Sequence, residues 1–282
     1  MKDVKITIIT VCYNANTTIE QTICSVLNQT YKNIEYIIVD GGSTDGTLDI
    51  LHKYSDKIKW VSEPDNGIYD AMNKGIKMAS GDYIQFIGSD DCLINYTVIE
   101  KLVNKIDLAA DVISAAEIVV EEDSKLEYYV GNSRGKKLIG GQVPWIPHAP
   151  MLTKTALMKK VLFDTRYKIA ADYDFILKCF KDSSVRFQFI DMPLVYFSSS
   201  GISNNYLELA KEENLRIFKE LGYEEPKMNI LERIIRCFKE TTKYLLNQIG
   251  LWTWGRCNFL GVKRHECDNR KCRWCNRHDE EV

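Results

Sequence analysis

The chain has 282 residues and a formal net charge of −2, with 45% apolar and 27% charged side chains, 16 Gly and only 6 Pro. That profile excludes a disordered or collagen-like chain, and the near-even charge balance excludes a dedicated nucleic-acid binder. The charge is unevenly placed: from Lys227 onward there are 12 Lys and Arg against 7 Asp and Glu, so a tail of +5 follows a body of −7. The opening Met1-Lys2-Asp3-Val4-Lys5 runs into a β-like stretch with no charged-then-apolar leader. No apolar run approaches the ~18 residues of a membrane-spanning helix. Both features predict a cytoplasmic protein whose only membrane contact is peripheral, on the inner face. Cys12, Cys24, Cys92, Cys179 and Cys237 are scattered like small buried hydrophobes in a reducing compartment, whereas Cys257, Cys267, Cys272 and Cys275 crowd the last 26 residues.

From Val4 to Val11 an almost unbroken β-branched run predicts a strand buried on both faces of a parallel sheet. Asn16 offers an N-cap to a helix reaching Gln29, and a second strand, Ile34 to Val39, opens through Asp40-Gly41-Gly42-Ser43 into a helix from Thr47 to Tyr54. A strand from Lys57 to Ser62, a helix from Ile68 to Ala79 and a strand from Tyr83 to Ile87 complete three βα units. They imply a right-handed, mostly parallel sheet with helices on both faces. Beyond it the pattern predicts a helix (Tyr96 to Ile106), a strand (Val112 to Val120), a hairpin through Glu127 to Val130, and a Pro-barred loop from Gly140 to Pro150 suited to a substrate wall. A helix reaching Phe180, short strands near Arg186 to Ile190 and Leu194 to Phe197, and a helix from Asn205 to Leu221 follow.

In such sheets ligands sit beyond the carboxyl ends of the strands. Those ends carry Cys12-Tyr13-Asn14, Asp40-Gly41-Gly42-Ser43, Glu63-Pro64-Asp65-Asn66-Gly67 and Ser89-Asp90-Asp91, a polar rim rich in carboxylates. Singly, each is as readily a turn or a helix cap; their convergence on one edge argues for a site. The motifs VCYNA, VDGGSTDGT, EPDNGIYDAMNKG, GSDD and ADYD, in this order, resemble family 2 glycosyltransferases of the GT-A fold. The likeness is strongest to bacterial enzymes that extend O-antigen, capsule or exopolysaccharide chains, and it spans roughly residues 4–222.

The resemblance implies a metal-dependent, inverting hexosyltransferase that moves a sugar from a nucleotide-diphosphate sugar, UDP favoured, to a saccharide or lipid-linked saccharide. It assigns Asp91 to a Mn²⁺ or Mg²⁺ on the diphosphate and Asp90 to the ribose or the metal shell, with Gly88 where relatives often carry another Asp. Thr10, Val11 and Tyr13 would line the nucleotide pocket beside Gly42 and Ser43, and Asp40 would accept the imide N–H of uracil. Asp172 would be the general base, with Ala171 in place of the acidic neighbour usual there. Lys74 either meets phosphate or lies along the surface, and His148 either contacts phosphate or acceptor or makes a structural hydrogen bond. A degenerate sugar-nucleotide-binding scaffold is the rival of another class. A nucleotidyltransferase is the rival enzyme, and the first turn, Cys12-Tyr13-Asn14-Ala15-Asn16, lacks its Gly-rich, basic triphosphate loop.

These expectations divide the chain into a catalytic domain (1–222), a basic amphipathic segment (223–256) and a Cys-rich basic tail (257–282). Between Asn229 and Gly250 an apolar stripe with Arg233, Arg236, Lys239 and Lys243 off it suits either an anionic membrane surface or packing on this or a second subunit. Oligomeric state is left open. Cys257, Cys267, Cys272 and Cys275, with His265, stand as unligated thiols or as ligands for a structural Zn²⁺.

Overall fold

The computed structural model describes residues 3–121, 126–131, 137–139, 143–144, 146–199, 201, 206–223 and 263–264. Strands β1 (Ile6–Cys12), β2 (Ile34–Asp40), β3 (Lys59–Ser62) and β4 (Tyr83–Phe86) are parallel, in the order β4-β1-β2-β3. Helices α1 (Ile19–Leu27), α2 (Thr47–Lys53) and α3 (Ile68–Met78) make the crossovers. Every residue of β1 is buried, as its β-branched run requires of a strand covered on both faces. Alternate side chains serve two cores: Ile8 and Ile38 pack with Ile19 and Ile23 of α1, while Ile9, Ile37 and Val39 pack with Ile76 of α3. Gly75 lets α3 come close, since a Cβ there would lie 2.7 Å from Ile9 Cγ2.

The first helix begins at Ile19, with Thr18 as N-cap, not Asn16. The Asn16 amide instead donates to the Asp45 carbonyl at 2.6 Å, and its backbone N–H reaches the Asp45 carboxylate at 3.1 Å, so it ties two strand-end turns together.

Beyond β4, the short β5 (Cys92–Leu93) and α4 (Val98–Lys105) lead to β6 (Val112–Val120), which forms the expected hairpin with β7 (Leu126–Val130). The loop expected from Gly140 to Pro150 holds a strand after all, β9 (Val143–Pro144), which pairs with β8 (Lys137–Ile139) just before the loop. A proline is tolerated there because the strand has two residues and one partner. Strand β10 (Met151–Lys154), unassigned from sequence because its four residues carry too little periodicity, lies antiparallel between β4 and β6. Then come α5 (Thr155–Lys160), α6 (Ala171–Lys181), β11 (Phe187–Ser198) and α7 (Leu207–Glu220). Strand β11 is one long strand parallel to β6 rather than two, with register shifts on either side of Pro193, which has no N–H for the ladder. The backbone of β12 (Lys263–Arg264) pairs with β7 at the sheet edge. The amphipathic stripe from Asn229 to Gly250 and the four tail cysteines lie outside the described residues. No described helix is long and apolar enough to cross a membrane.

At the amino edge one carboxylate joins four strands. Glu35 of β2 accepts hydrogen bonds from Thr7 of β1, from Lys59 of β3, and from the backbone and hydroxyl of Ser80 just before β4, each at 2.7 Å. Burial tends to raise its pKa, but these donors outweigh that and hold it at about 2. Its stabilising effect is therefore complete above the ordinary value of 4.5 and is lost as pH falls through about 2. Glu35→Gln is expected to lower unfolding free energy at pH 7 by about 1–3 kcal/mol, with the deficit shrinking as the wild type is acidified. Urea titrations at pH 7 and pH 3 test this; a deficit of equal size at both would refute the assignment.

Candidate active site

Tyr13 follows β1 and is 64% exposed, its ring free on one side. The turn that presents it depends on Asn14, whose φ of 51° lies in the left-handed region that Asn tolerates better than most residues. Asn14 N–H donates to Ser43 Oγ at 2.7 Å and Asn14 Oδ1 accepts from Thr44 N–H at 2.9 Å, fixing the first strand-end turn to the second.

Asp40 does not face the cavity. It is fully buried, and its carboxylate accepts from Gly42 N–H and Ser43 N–H at 2.9 Å, from the Ser62 hydroxyl at 2.6 Å, from the Ser43 hydroxyl, and from the Cys12 thiol at 3.5 Å. Burial raises its pKa, but these hydrogen bonds more than offset that and lower it. With five donors in place the carboxylate holds the Gly42-Ser43 turn, and the structure does not bring it into the cavity where the expected contact with uracil would be made. Thr10 is likewise fully buried, its hydroxyl 3.0 Å from that of Tyr36. Lys74 donates to the Pro64 carbonyl and pairs with Glu63, both at 2.9 Å, on the outer rim. Of the nucleotide set, Val11, Tyr13 and Asp90 line the cavity, while Thr10, Asp40, Gly42, Ser43 and Lys74 do not.

A different carboxylate occupies the place that Asp40 leaves. A Cβ on Gly41 would lie 2.5 Å from Asp65 Oδ2 and 3.5 Å from the Tyr13 ring, so Asp65 fills the space a side chain at position 41 would take. Its Oδ1 accepts from Gly67 N–H at 2.8 Å, and the residue lines the cavity beside Tyr13.

Asp90 and Asp91 follow β4. Asp91 is 3% exposed; its Oδ1 accepts from Ser198 N–H at 2.9 Å and its Oδ2 from Gly88 N–H at 3.1 Å. Burial first, then the neighbouring Asp90 charge, push its carboxyl well above the usual range. A Cβ on Gly88 would sit 2.7 Å from Asp91 Oδ2 and 2.9 Å from Asp90 Oδ1, so the departure from an acidic residue there makes room for these two carboxylates. Glu117 of β6, not singled out from sequence, also lines the cavity, and burial raises its pKa to about 8. Among the described residues no three His, Cys, Asp or Glu side chains converge closely enough to hold a metal by themselves.

Asp172 sits in the first turn of α6 but does not cap it; the N-cap is Ala170. The Tyr69 hydroxyl lies 2.8 Å from Asp172 Oδ1 and 2.7 Å from the Ile169 carbonyl, and His148 Nδ1 lies 4.0 Å from Asp172 Oδ2. Burial lowers the His148 pKa against the opposing pull of Asp172, so the imidazole is neutral at neutral pH. Its ring stacks on Phe86, and its buried Nε2 has no partner among the described residues. The loop leading to Asp172 is held from below: Glu213 of α7 accepts from the backbone N–H groups of Lys168, Ile169 and Ala170 at 2.7, 2.9 and 3.0 Å. Sequence reading missed Tyr69, which lies within a quoted motif, and Glu213, whose spacing gives no signal.

These residues surround a cavity of about 1060 Å³, room for a nucleotide sugar. Its described lining holds Asp65, Asp90, Asp91, Glu117 and Asp172, and no Lys or Arg.

Residues 7–166 match the family described as Glycosyl transferase family 2, more than half of the chain. The chain belongs to this family. It is 27% identical over 213 residues, 70% of this chain and 78% of the relative, to a PGL/p-HBAD biosynthesis glycosyltransferase of Mycobacterium bovis. It is 32% identical over 192 residues, 64% of this chain and 60% of the relative, to an uncharacterized glycosyltransferase of Rickettsia typhi. The fold matches S. aureus TarS in complex with UDP-GlcNAc, with TM-score 0.61, 22% identity, and 77% of this chain and 65% of that one covered. It also matches a mannosyltransferase from Pyrobaculum calidifontis in complex with GDP-Man and Mn²⁺, with TM-score 0.60, 15% identity, and 90% and 73% covered. The architecture is thus that of the GT-A glycosyltransferases, and the more specific likeness to O-antigen or capsule enzymes is carried by the motifs alone.

Asp40→Ala in this family 2 member is expected to lower unfolding free energy by about 2–4 kcal/mol, because it strands buried donors. An unchanged denaturation midpoint together with lost nucleotide binding would return Asp40 to the base-reading role.

Proposed function

We propose that this family 2 glycosyltransferase moves a sugar from a nucleotide-diphosphate sugar, UDP favoured, to a hydroxyl of a saccharide or lipid-linked saccharide in the assembly of a surface glycan, with inversion at the anomeric carbon. The observation that carries this reading is the cavity's charge: five carboxylates and no Lys or Arg in its described lining. A diphosphate would be repelled from such a lining unless a hard cation came with it, and Mg²⁺-type ions are held by one or two carboxylates plus substrate phosphates. Asp91, aided by Asp90, fits that donor set. When bound, Mn²⁺ or Mg²⁺ supplies charge that stabilises the leaving diphosphate. The complexes of TarS with UDP-GlcNAc and of the mannosyltransferase with GDP-Man and Mn²⁺ lend support from the same fold.

Tyr13 stacks on the base. Asp65, with Oδ2 beside the ring, accepts the base N–H in place of Asp40. Asp172 takes the proton of the acceptor hydroxyl as that oxygen attacks the anomeric carbon from the face opposite the diphosphate. Tyr69 is a positioning residue: it holds Oδ1 and leaves Oδ2 for the acceptor. An intact Asp91 and a braced Asp172 argue against the scaffold reading, and a lining without Lys or Arg argues against the nucleotidyltransferase. The basic stripe after Pro226 fits an anionic membrane surface near lipid-linked acceptors.

Asp91→Asn is expected to abolish Mn²⁺-dependent nucleotide binding in calorimetry. Asp172→Asn should bind donor normally and lose ~10²–10⁴ in turnover; near-normal turnover would refute the base. For the tail, the chain truncated after Pro226 should stay folded but no longer sediment with anionic liposomes. Failure of the full chain to sediment would make the stripe a packing surface.

A further inference from the structure

The cavity holds one buried acid that the proposed chemistry does not use. Glu117 is 5% exposed, lines the cavity, and accepts no hydrogen bond among the described residues, although a buried carboxylate ordinarily finds donors. Its place follows from strand register. β10 starts at Met151 opposite Ser114, so β6 runs on past it toward the carboxyl edge, with Glu117 in that overhang and opposite Val195 of β11. Phe197, two residues further along β11, lines the cavity too.

The sheet order gives the site a direction. Tyr13 and Asp65 stand at the ends of β1 and β3, Asp90 and Asp91 at the end of β4, and Glu117 on the far side, across β10, on β6. A nucleotide sugar whose base lies at Tyr13 and whose diphosphate lies at Asp91 extends its sugar toward β6. What a buried carboxylate can recognise there is a hydroxyl donor, and an aromatic edge such as Phe197 suits the apolar face of a pyranose.

We propose that Glu117 is a specificity residue that accepts a hydrogen bond from a hydroxyl of the transferred sugar. The inference rests on the donor reading above. Glu117 stands across β10 from Tyr13 and Asp91, away from the proposed base and diphosphate positions, so it distinguishes nucleotide sugar from bare nucleotide.

The test is calorimetric titration of the full chain in Mn²⁺ with UDP, UDP-glucose, UDP-GlcNAc and GDP-mannose, for the wild type, Glu117→Gln and Glu117→Ala. The wild type should bind at least one of these sugars more tightly than its parent nucleotide. Glu117→Ala should lose ~10-fold of that preference, the worth of one hydrogen bond, with affinity for the bare nucleotide and for Mn²⁺ unchanged. Glu117→Gln, which keeps an acceptor oxygen and the same shape, should fall between the two and guards against a folding artefact. Loss of bare-nucleotide or Mn²⁺ binding in a folded Glu117→Gln would overturn the proposal in favour of a metal ligand. Unchanged sugar preference in both variants would overturn it in favour of a structural acid. A wild type that binds no nucleotide at all would remove the donor reading itself, an outcome separate from either.

Discussion

Acidic side chains gathered at the carboxyl edge of the sheet, with no Lys or Arg among the described residues that line the cavity, govern the rest of the site. Asp91 is surrounded by protein and stands next to Asp90, and both conditions favour the protonated acid. The divalent cation proposed for this site would reverse that preference by stabilising the ionised form, linking cation binding to proton release. The fold prepares the carboxylate for such a partner: the N–H groups of Gly88 and Ser198 fix both of its oxygens, one from the strand-end turn and one from β11. An immobile carboxylate loses little freedom on binding an ion, and the glycine at position 88 keeps the space around it open.

The same economy of motion holds across the edge. The turns after β1, β2 and β3 are a single hydrogen-bonded unit: Asn14 reaches Ser43, Ser43 and Ser62 reach Asp40, and Ala15 N–H reaches Thr47 Oγ1 at 2.8 Å. Loops are usually the softest part of an α/β protein. Here a fully buried carboxylate at their centre, with every donor around it satisfied, makes them extensions of the sheet. Tyr13 and Asp65 are therefore presented from hydrogen-bonded turns, the support that their proposed roles of stacking on the base and accepting its N–H would need.

How much of this was legible in the sequence varies with the kind of interaction. The first four strands and their helices could be read because each is a long β-branched or amphipathic run, and the convergence of the rim follows from parallel topology alone. The places of Asp91, Asp172 and Tyr13 along the cavity were legible because topology and motif put them at strand or helix ends. The inward direction of Asp40 was not legible because a strand-end carboxylate points either outward to ligand or inward to the turn, and neighbouring serines that satisfy it look in sequence like any polar turn. The placement of Asp65 and Glu117 was hidden for the opposite reason. One depends on the missing side chain of Gly41, the other on how far β6 outruns a four-residue strand that carries almost no pattern of its own.

The proposed base draws together distant parts of the chain. Asp172 lies in the first turn of α6, but the direction of its carboxylate depends on Tyr69 at the start of α3 and on the loop that Glu213 clamps from α7. Tyr69 burdens only one oxygen. The other is 4.0 Å from His148 Nδ1, close enough for an imidazolium to pair with it and quench its basicity. Burial among Phe86 and Phe163 prevents this by disfavouring the charged ring, and it does so more strongly than Asp172 favours it. The imidazole thus stays neutral to a lower pH than an exposed histidine would. The apolar packing around His148 thereby keeps an oxygen of Asp172 free over the pH range in which a carboxylate serves as a base.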